Sequence, residues 1–242
     1  MTDQSSFDLK AIDFDAVYTG DGPMMGDISF ERPPWDIDGP QPAVVALEQA
    51  GGITGKVLDI GSGAGGNSIA LAERGYSVTG VDGSEPAVQL ASNRAAERGV
   101  NVRFVVADAV RLDGIDQQFD TVLDSALYHC LPVDTRAAYG ASLHRVTNSG
   151  ARLHIFCFAD VAGGAIPSPL TVSKDDLRGN LGTHWDITKI ELEQYVTAVT
   201  ADVAREEFGQ LNPGADMAAI TIDADEQGRA LLPVWHLEAV RK

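Results

Sequence analysis

Residues 57–66 read VLDIGSGAGG, and the rest of the chain is organised around them. A short apolar run ends in Asp59–Ile60. A turn follows that carries Gly61, Gly63, Gly65 and Gly66. Behind it, Asn67–Arg74 (NSIALAER) predicts a helix that Gly75 stops. Strand, glycine turn and helix form the first unit of a nucleotide-binding α/β sheet. The glycines remove side chains where a ligand must lie against the backbone. The helix start adds unpaired N–H groups and a positive dipole end.

Two cofactors fit such a turn. Gly61, Gly63 and Gly66 satisfy the dinucleotide fingerprint GxGxxG. Asp59, Gly61, Gly63 and Gly65 satisfy the D-x-G-x-G-x-G pattern of S-adenosylmethionine (SAM) methyltransferases, so the flanks must decide. A second strand, Tyr76–Val81, ends in Asp82, 23 residues after Asp59. A carboxylate there can accept both ribose hydroxyls of either cofactor. A third strand, Val102–Val106, is followed by Asp108 and Ala109, where an acid can accept from an adenine amino group. A fourth signal is FDTVLDSALYHCLP, Phe119–Pro132.

These four signals, in this order and spacing, resemble class I SAM-dependent methyltransferases from about residue 56 to residue 158. The resemblance implies a Rossmann-like fold: a mostly parallel seven-stranded sheet, an antiparallel last strand, and helices on both faces. It implies SAM as cofactor, with Asp59 near the methionine amino group. A carboxylate at that place is less welcome to a pyrophosphate.

The β-α-β-α order by itself predicts a parallel sheet covered on both faces, because its strands are continuous apolar runs. Residues 1–6 are polar and predicted disordered, and Phe7–Tyr18 has helical spacing. Met24–Pro40, rich in Pro, Gly and Asp yet bearing Met24, Met25, Ile28, Phe30 and Trp35, predicts a cover over the cofactor. The expected organisation is therefore an N-terminal helix and cover over residues 1–40 and a methyltransferase domain over residues 41–242. Pro42–Gln49 predicts a helix, Ser84 caps another running to about Arg98, and Val133–Val146 predicts a third. Arg152–Phe158, His184–Val196 and Leu232–Val240 predict strands. Ala162–Ser168 reads as a loop, Ser173 opens a short helix ending at Gly179, and Thr197–Arg229 is ambiguous.

The 242 residues carry a net charge of −17, which repels phosphate backbones and disfavours a nucleic-acid partner. No stretch approaches the ~20 apolar residues of a spanning helix, and no signal peptide is legible, so a cytoplasmic protein without a membrane partner is expected. Cys130 and Cys157 show no metal-ligand spacing, so no metal is expected. The expected oligomeric state is a monomer or weak homodimer.

In an open α/β sheet the ligand lies outside the carboxyl ends of the strands. Asp59, Asp82, Asp108 and Asp124 all fall at such ends; the alternative for each is a capping role. The cofactor residues expected are Trp35 by stacking, Asp59, Gly61, Gly63, Asn67 at the methionyl end, Asp82 on the ribose, Gly83 and Ser84 beside the adenosine, Asp108 and Ala109 on the adenine, and Asp124. Tyr128 and His129 follow the fourth strand and are the catalytic candidates. His129 has the pKa class of a base, needed only if the acceptor is not already ionised. His154 and His236 read as structural, and His184 as a weaker pocket candidate.

The layout RPPWDIDGPQPAVVAL (residues 32–47), then VLDIGSGAGGNSIALAERG (residues 57–75), then FDTVLDSALYHCLP is similar to the actinobacterial heterocyclic toxin methyltransferases, relatives of the thiopurine and tellurite methyltransferases. That resemblance implies a small flat aromatic acceptor, such as a hydroxyquinolone or a phenol, methylated on oxygen or nitrogen as detoxification. The alternatives are transfer to another small metabolite or thiol, a non-catalytic SAM-binding protein, and an NAD-dependent oxidoreductase.

Overall fold

The computed structural model describes residues 12–20, 32–161, 166, 170–211 and 220–242. The expectations for residues 1–11, for the front half of the cover (residues 24–31), for most of the loop at residues 162–168 and for residues 212–219 lie outside the described residues. In chain order the elements are α1 (Phe14–Thr19), α2 (Pro42–Gln49), β1 (Lys56–Ile60), α3 (Gly66–Glu73), β2 (Ser77–Asp82), α4 (Glu85–Glu97), β3 (Arg103–Val106), β4 (Phe119–Ser125), α5 (Arg136–Arg145), β5 (Thr147–Phe158), α6 (Lys174–Leu181), β6 (Trp185–Thr200), α7 (Ala201–Leu211), β7 (Asp223–Ala224) and β8 (Arg229–Arg241). The sheet order is β3-β2-β1-β4-β5-β8-β6, with the two-residue β7 pairing β8 as an eighth strand. Strands β3 to β5 along this order are parallel. Strand β8 runs antiparallel to both β5 and β6.

The period of two in the strands divides the core into two layers. Leu58, Ile60, Val122, Leu153, Ile155 and Leu237 face one side, packed with Tyr139 and Leu143 of α5 and Leu177 and Leu181 of α6. Val57, Leu123, Phe156 and Val234 face the other, packed with Val44 and Leu47 of α2 and Leu71 of α3. A third cluster joins Ile166, Leu170, Ala204, Ile222, Ala230 and Leu232 under α7.

Some boundaries depart from the expectation for physical reasons. Helix α6 runs past Gly179 because Leu177 and Leu181 both bury. Strand β5 starts five residues before Arg152; its polar residues 148–150 stay exposed while Thr147 pairs Phe119. Thr197–Arg229 resolves into the end of β6, α7 and β7 among the described residues. None of the described helices is long and apolar enough to cross a membrane.

Candidate active site

The chain leaves β1 toward β2 and β3 on one side and returns to β4 on the other. This order reversal opens a crevice at the carboxyl ends of the strands. A continuous cavity of about 930 Å³ fills it. Two glycines of the opening stretch are needed for its floor. Gly61 has φ +72°, and a Cβ there would lie 2.7 Å from Leu127 Cβ. A Cβ on Gly66 would meet the Gly39 carbonyl oxygen at 2.4 Å. Gly61 lines the cavity, while Gly63 sits just behind it, its N–H turned to Asp82.

Asp82 is the best-placed acid. Its Oδ2 accepts from Gly63 N (2.8 Å) and its Oδ1 from Ser84 N (2.9 Å), so backbone donors aim the carboxylate into the cavity it lines. Burial raises its pKa against those donors. Gly83, Ser84, Asp108 and Ala109 line the same end. Ser84 Oγ also caps α4 through Ala87 N, and Asp108 Oδ1 accepts from Val110 N at 2.7 Å.

Asp59 lies behind the glycine turn. Its Oδ2 accepts from Ser68 Oγ at 2.6 Å, and burial lifts its pKa to about 6. Its Oδ1 is buried with no partner among the described residues, as is Ser62 Oγ. A buried carboxylate oxygen left this way is expensive unless a ligand or water donates to it. An unpartnered acceptor oxygen of this kind suits an ammonium group. The cavity lining holds Asp13, Asp15, Asp82, Asp108 and Glu207 and, among the described residues, neither Lys nor Arg. Such a wall suits a cationic sulfonium and opposes a pyrophosphate.

Asp59, like Gly63, is not in the cavity wall, and three further expected site residues are placed elsewhere. Asp124 is fully buried and does not line the cavity. Its Oδ1 accepts from Leu127 N (2.9 Å) and Tyr128 N (3.2 Å), and its Oδ2 from Tyr139 Oη (2.6 Å). Asp124 therefore shapes the turn after β4 from behind; burial lifts its pKa to about 7. Asn67 Oδ1 accepts from Gln41 N at 2.9 Å, tying α3 to the start of α2. Tyr128 points away from the cavity: its hydroxyl donates to Asp176 Oδ1 (2.9 Å), and the Arg136 guanidinium lies 5.1 Å over its ring. The weaker candidate His184 is also off the cavity, its ring 5.0 Å from that of His144.

His129, one position further on the same 3-10 turn (Tyr128–Cys130), does face the cavity. Its ring stacks on Phe158 at 4.0 Å, and its Nδ1 accepts from Phe158 N at 3.3 Å. Burial and then Arg136 push its pKa down to about 3, so the imidazole is neutral. Around it the chamber is apolar and aromatic: Phe158, Leu170, Tyr195, Val199, Phe208 and Leu232. Tyr195, Thr197 and Phe208 were not foreseen; they come from β6 and α7, which bear no local signature of a ligand.

The cover is pinned in place. Trp35 lines the cavity and donates through Nε1 to Tyr18 Oη at 2.8 Å. Arg94 of α4 clasps Asp36, donating from Nη1 and Nη2 to its two carboxylate oxygens at 3.0 and 2.9 Å. Ala198 N donates to Pro34 O, and the Gln41 amide pairs with both backbone groups of Val196. Phe14 and Tyr18 of α1 complete this wall. Their spacing reads as helical in the sequence, but nothing there shows which surface the helix covers.

The fold and the site define a Rossmann-like nucleoside-binding protein whose cavity, lined by acids and by no Lys or Arg among the described residues, continues into an aromatic chamber. A methyltransferase-domain family model matches residues 57–150. The 2-heptyl-1-hydroxyquinolin-4(1H)-one methyltransferase of Mycobacteroides abscessus is 38% identical over 179 residues, spanning 73% of this chain and 78% of that protein. A structure solved in work on the conversion of a disulfide bond into a thioacetal group during echinomycin biosynthesis aligns with TM-score 0.75 and 35% identity, over 95% of this chain and 91% of that one. Magnesium protoporphyrin IX methyltransferase from Synechocystis PCC 6803, with bound SAM, shares the fold at TM-score 0.55 and 24% identity, over 83% of this chain and 76% of that one. The chain belongs to the SAM-dependent methyltransferases. It is an enzyme of that class, and its cofactor is SAM. The dinucleotide alternative raised by GxGxxG is thereby overturned.

Proposed function

We propose that the enzyme methylates an oxygen or nitrogen of a small, flat, hydroxylated heteroaromatic compound of hydroxyquinolone type, as a detoxification. The observation that carries this reading is the aromatic chamber continuous with the cofactor crevice, with His129 at the junction. The M. abscessus relative, named for a hydroxyquinolone, supports the same acceptor class. Drug-sized ligands occupy cavities of ~300–1,000 Å³, and the 930 Å³ here lies near the top of that range, giving room for a cofactor and a compact second ligand.

Bound SAM supplies a methyl group on a sulfonium whose departing thioether is neutral. In this reading Asp82 holds the ribose diol, Asp108 and the Ala109 N–H read the adenine, and Gly83 and Ser84 flank the adenosine. Asp59 Oδ1 takes the methionyl ammonium directly or through water. Trp35 and α1 close the crevice and exclude water. Phe158, Tyr195 and Phe208 hold the acceptor flat, and orientation of this kind is worth far more to a displacement than any single contact. Residues 1–40 act as cover and residues 41–242 as the methyltransferase domain, working in the cytoplasm as a monomer or weak dimer.

A second reading, transfer to sulfur, is favoured by the 35% identical structure solved in the thioacetal work. Incubation with SAM and a panel of 1-hydroxyquinolin-4-ones, phenols and thiols, read by mass spectrometry, separates the two. Methylation of the hydroxyquinolones is expected. Turnover of thiols alone would overturn the first reading.

A further inference from the structure

The hydrogen bond between Phe158 N and His129 Nδ1 decides more than the position of the ring. Phe156 O accepts from Ala126 N, on the β4 side of β5, whereas Ala159 N is turned to Pro233 O on the β8 side. The period of two therefore aims the Phe158 N–H at the β4 side, one step beyond where β4 ends at Ser125. With no strand residue left to meet it, this peptide N–H donates to His129 Nδ1 at 3.3 Å. A peptide N–H can only donate, so Nδ1 must present its lone pair. A neutral imidazole then carries its proton on Nε2. That atom has no partner among the described residues and is absent from the buried, unpartnered atoms, while the residue lines the cavity. The opposite tautomer would set two N–H groups against each other at this distance.

The surrounding charges reinforce this state. Arg136 of α5 disfavours an imidazolium, and it is itself paired with Asp176 of α6 at 2.9 Å. The Asp124 carboxylate of β4 is turned to Leu127, Tyr128 and Tyr139. Cys130 is held as a thiol by burial, and Tyr195 of β6 as a phenol.

We propose that His129 is a fixed Nε2–H hydrogen-bond donor to the acceptor's oxyanion and not a general base, so the enzyme selects substrates whose hydroxyl ionises unaided. This deepens the function proposed above and rests on it. The acceptor loses its proton to water before the transfer. The donor then occupies one lone pair of the oxyanion. Another lone pair forms the C–O bond to the methyl carbon as the C–S bond breaks, and the C–S electrons leave with sulfur. No proton moves to the protein in that step. His129 itself takes no proton from a weakly acidic alcohol of the same shape, because the one lone pair of the imidazole is already engaged with Phe158.

Two measurements test this. The first needs no substrate: nitrogen-15 NMR of the histidine rings in the SAM-free protein, with His129 assigned by its loss in His129→Gln. A neutral Nε2–H tautomer that does not titrate from pH 8 to about 5 is expected, against an ordinary histidine midpoint of ~6.5. An Nδ1–H tautomer, or a midpoint above about 6, overturns the proposal. The second follows kcat/KM against pH for hydroxyheteroarenes of graded acidity. That ratio reports the free reactants, so the inflection should move with the pKa of each substrate. An inflection fixed across the series overturns the proposal. His129→Gln, whose amide still donates, should keep the moving inflection with KM raised within about tenfold, roughly the size of one neutral hydrogen bond. His129→Phe should raise KM more. Should the ring show the expected tautomer while the whole series goes unmethylated, the acceptor class proposed above fails and the donor state of His129 stands.

Discussion

Replacing Asp82 with Asn is the sharpest test of how the crevice holds its cofactor. The change is isosteric and removes one charge. In the folded chain Gly63 N and Ser84 N each donate to one carboxylate oxygen, at 2.8 and 2.9 Å, which leaves lone pairs on both oxygens facing the cavity. Two ribose hydroxyls donating there would form charge-assisted bonds of ~1.5–3 kcal/mol each. Asn keeps one carbonyl oxygen and presents an NH2 that cannot accept, so one of the two bonds is lost and the other loses its charge. A net loss of about 3 kcal/mol is expected, which is roughly a hundredfold in Kd. The unliganded protein responds differently. Burial already penalises the Asp82 charge, so Asn relieves that cost while creating one donor–donor conflict with the backbone. These effects oppose one another, and the melting temperature without SAM should move by only a few degrees. Titration calorimetry with SAM, paired with thermal unfolding of the free protein, reads both quantities. A variant that binds SAM within threefold of the wild type would refute the placement of the ribose. A variant that melts far lower without SAM would show instead that Asp82 chiefly staples the glycine turn.

The remaining expectations concern the supports of the site. Asp124 has a folded pKa of about 7, above the ~3.9 of an unfolded chain, so the native state holds that proton more tightly. Its contribution is full below pH ~3.9 and is lost as pH rises through about 7, at roughly 1.4 kcal/mol per unit; Asp124→Asn should flatten melting temperature against pH between about 5 and 7, and an unchanged slope refutes this. Tyr128→Phe removes the bond to Asp176 without touching the cavity, so it should cost about 1–2 kcal/mol in denaturant unfolding and leave KM unaltered; a raised KM with intact stability would return Tyr128 to the substrate site. Arg94→Met strips the buried Asp36 of its clasp and should cost about 1.5–3 kcal/mol. It should also speed SAM release in stopped-flow measurements, and an unchanged off-rate would show that the cover does not retain the cofactor.

The glycine turn, the succession of strands and helices along the chain and the cap at Ser84 were legible because each is a local rule, whereas the last strand, β8, lies between β5 and β6 and not at the sheet edge. A strand that must be buried on both faces is apolar throughout, and a helix that starts after a serine uses that side chain. The same logic explains why Asp59 and Asp124 were harder to place than Asp82. All belong to strand ends, but Asp82 is the last residue of β2 while Asp59 and Asp124 are the penultimate residues of β1 and β4. In the parallel register Asp59 pairs Gly80 and so lies on the same sheet face as Asp82, while Asp124 pairs Ile60 and lies on the opposite face. Asp82, at its strand end, lines the crevice, whereas Asp59 and Asp124, one step short of theirs, are enclosed by the layers on either side, where Ser68 and Tyr139 meet them. Sequence spacing finds the strand end within a residue or two, which is the same size as the step between Asp82 lining the cavity and Asp124 buried behind it.

That sensitivity also separates His129 from Tyr128. Neighbours on a 3-10 turn point about a third of a revolution apart. Asp124 fixes the turn by accepting from Leu127 N and Tyr128 N, which sends Tyr128 down toward α6 and leaves His129 over Phe158. The acid expected to touch the cofactor thus acts one layer below, choosing which of two adjacent side chains meets the acceptor. The chemistry of the cavity follows from that choice. A tyrosine at the junction would bring a hydroxyl able both to donate and to accept. The histidine, with Nδ1 held by a strand-end peptide, can only donate there. Acidity must then come from the substrate, and a chamber of aromatic walls with a fixed donor at its junction suits a flat heterocycle that arrives already ionised.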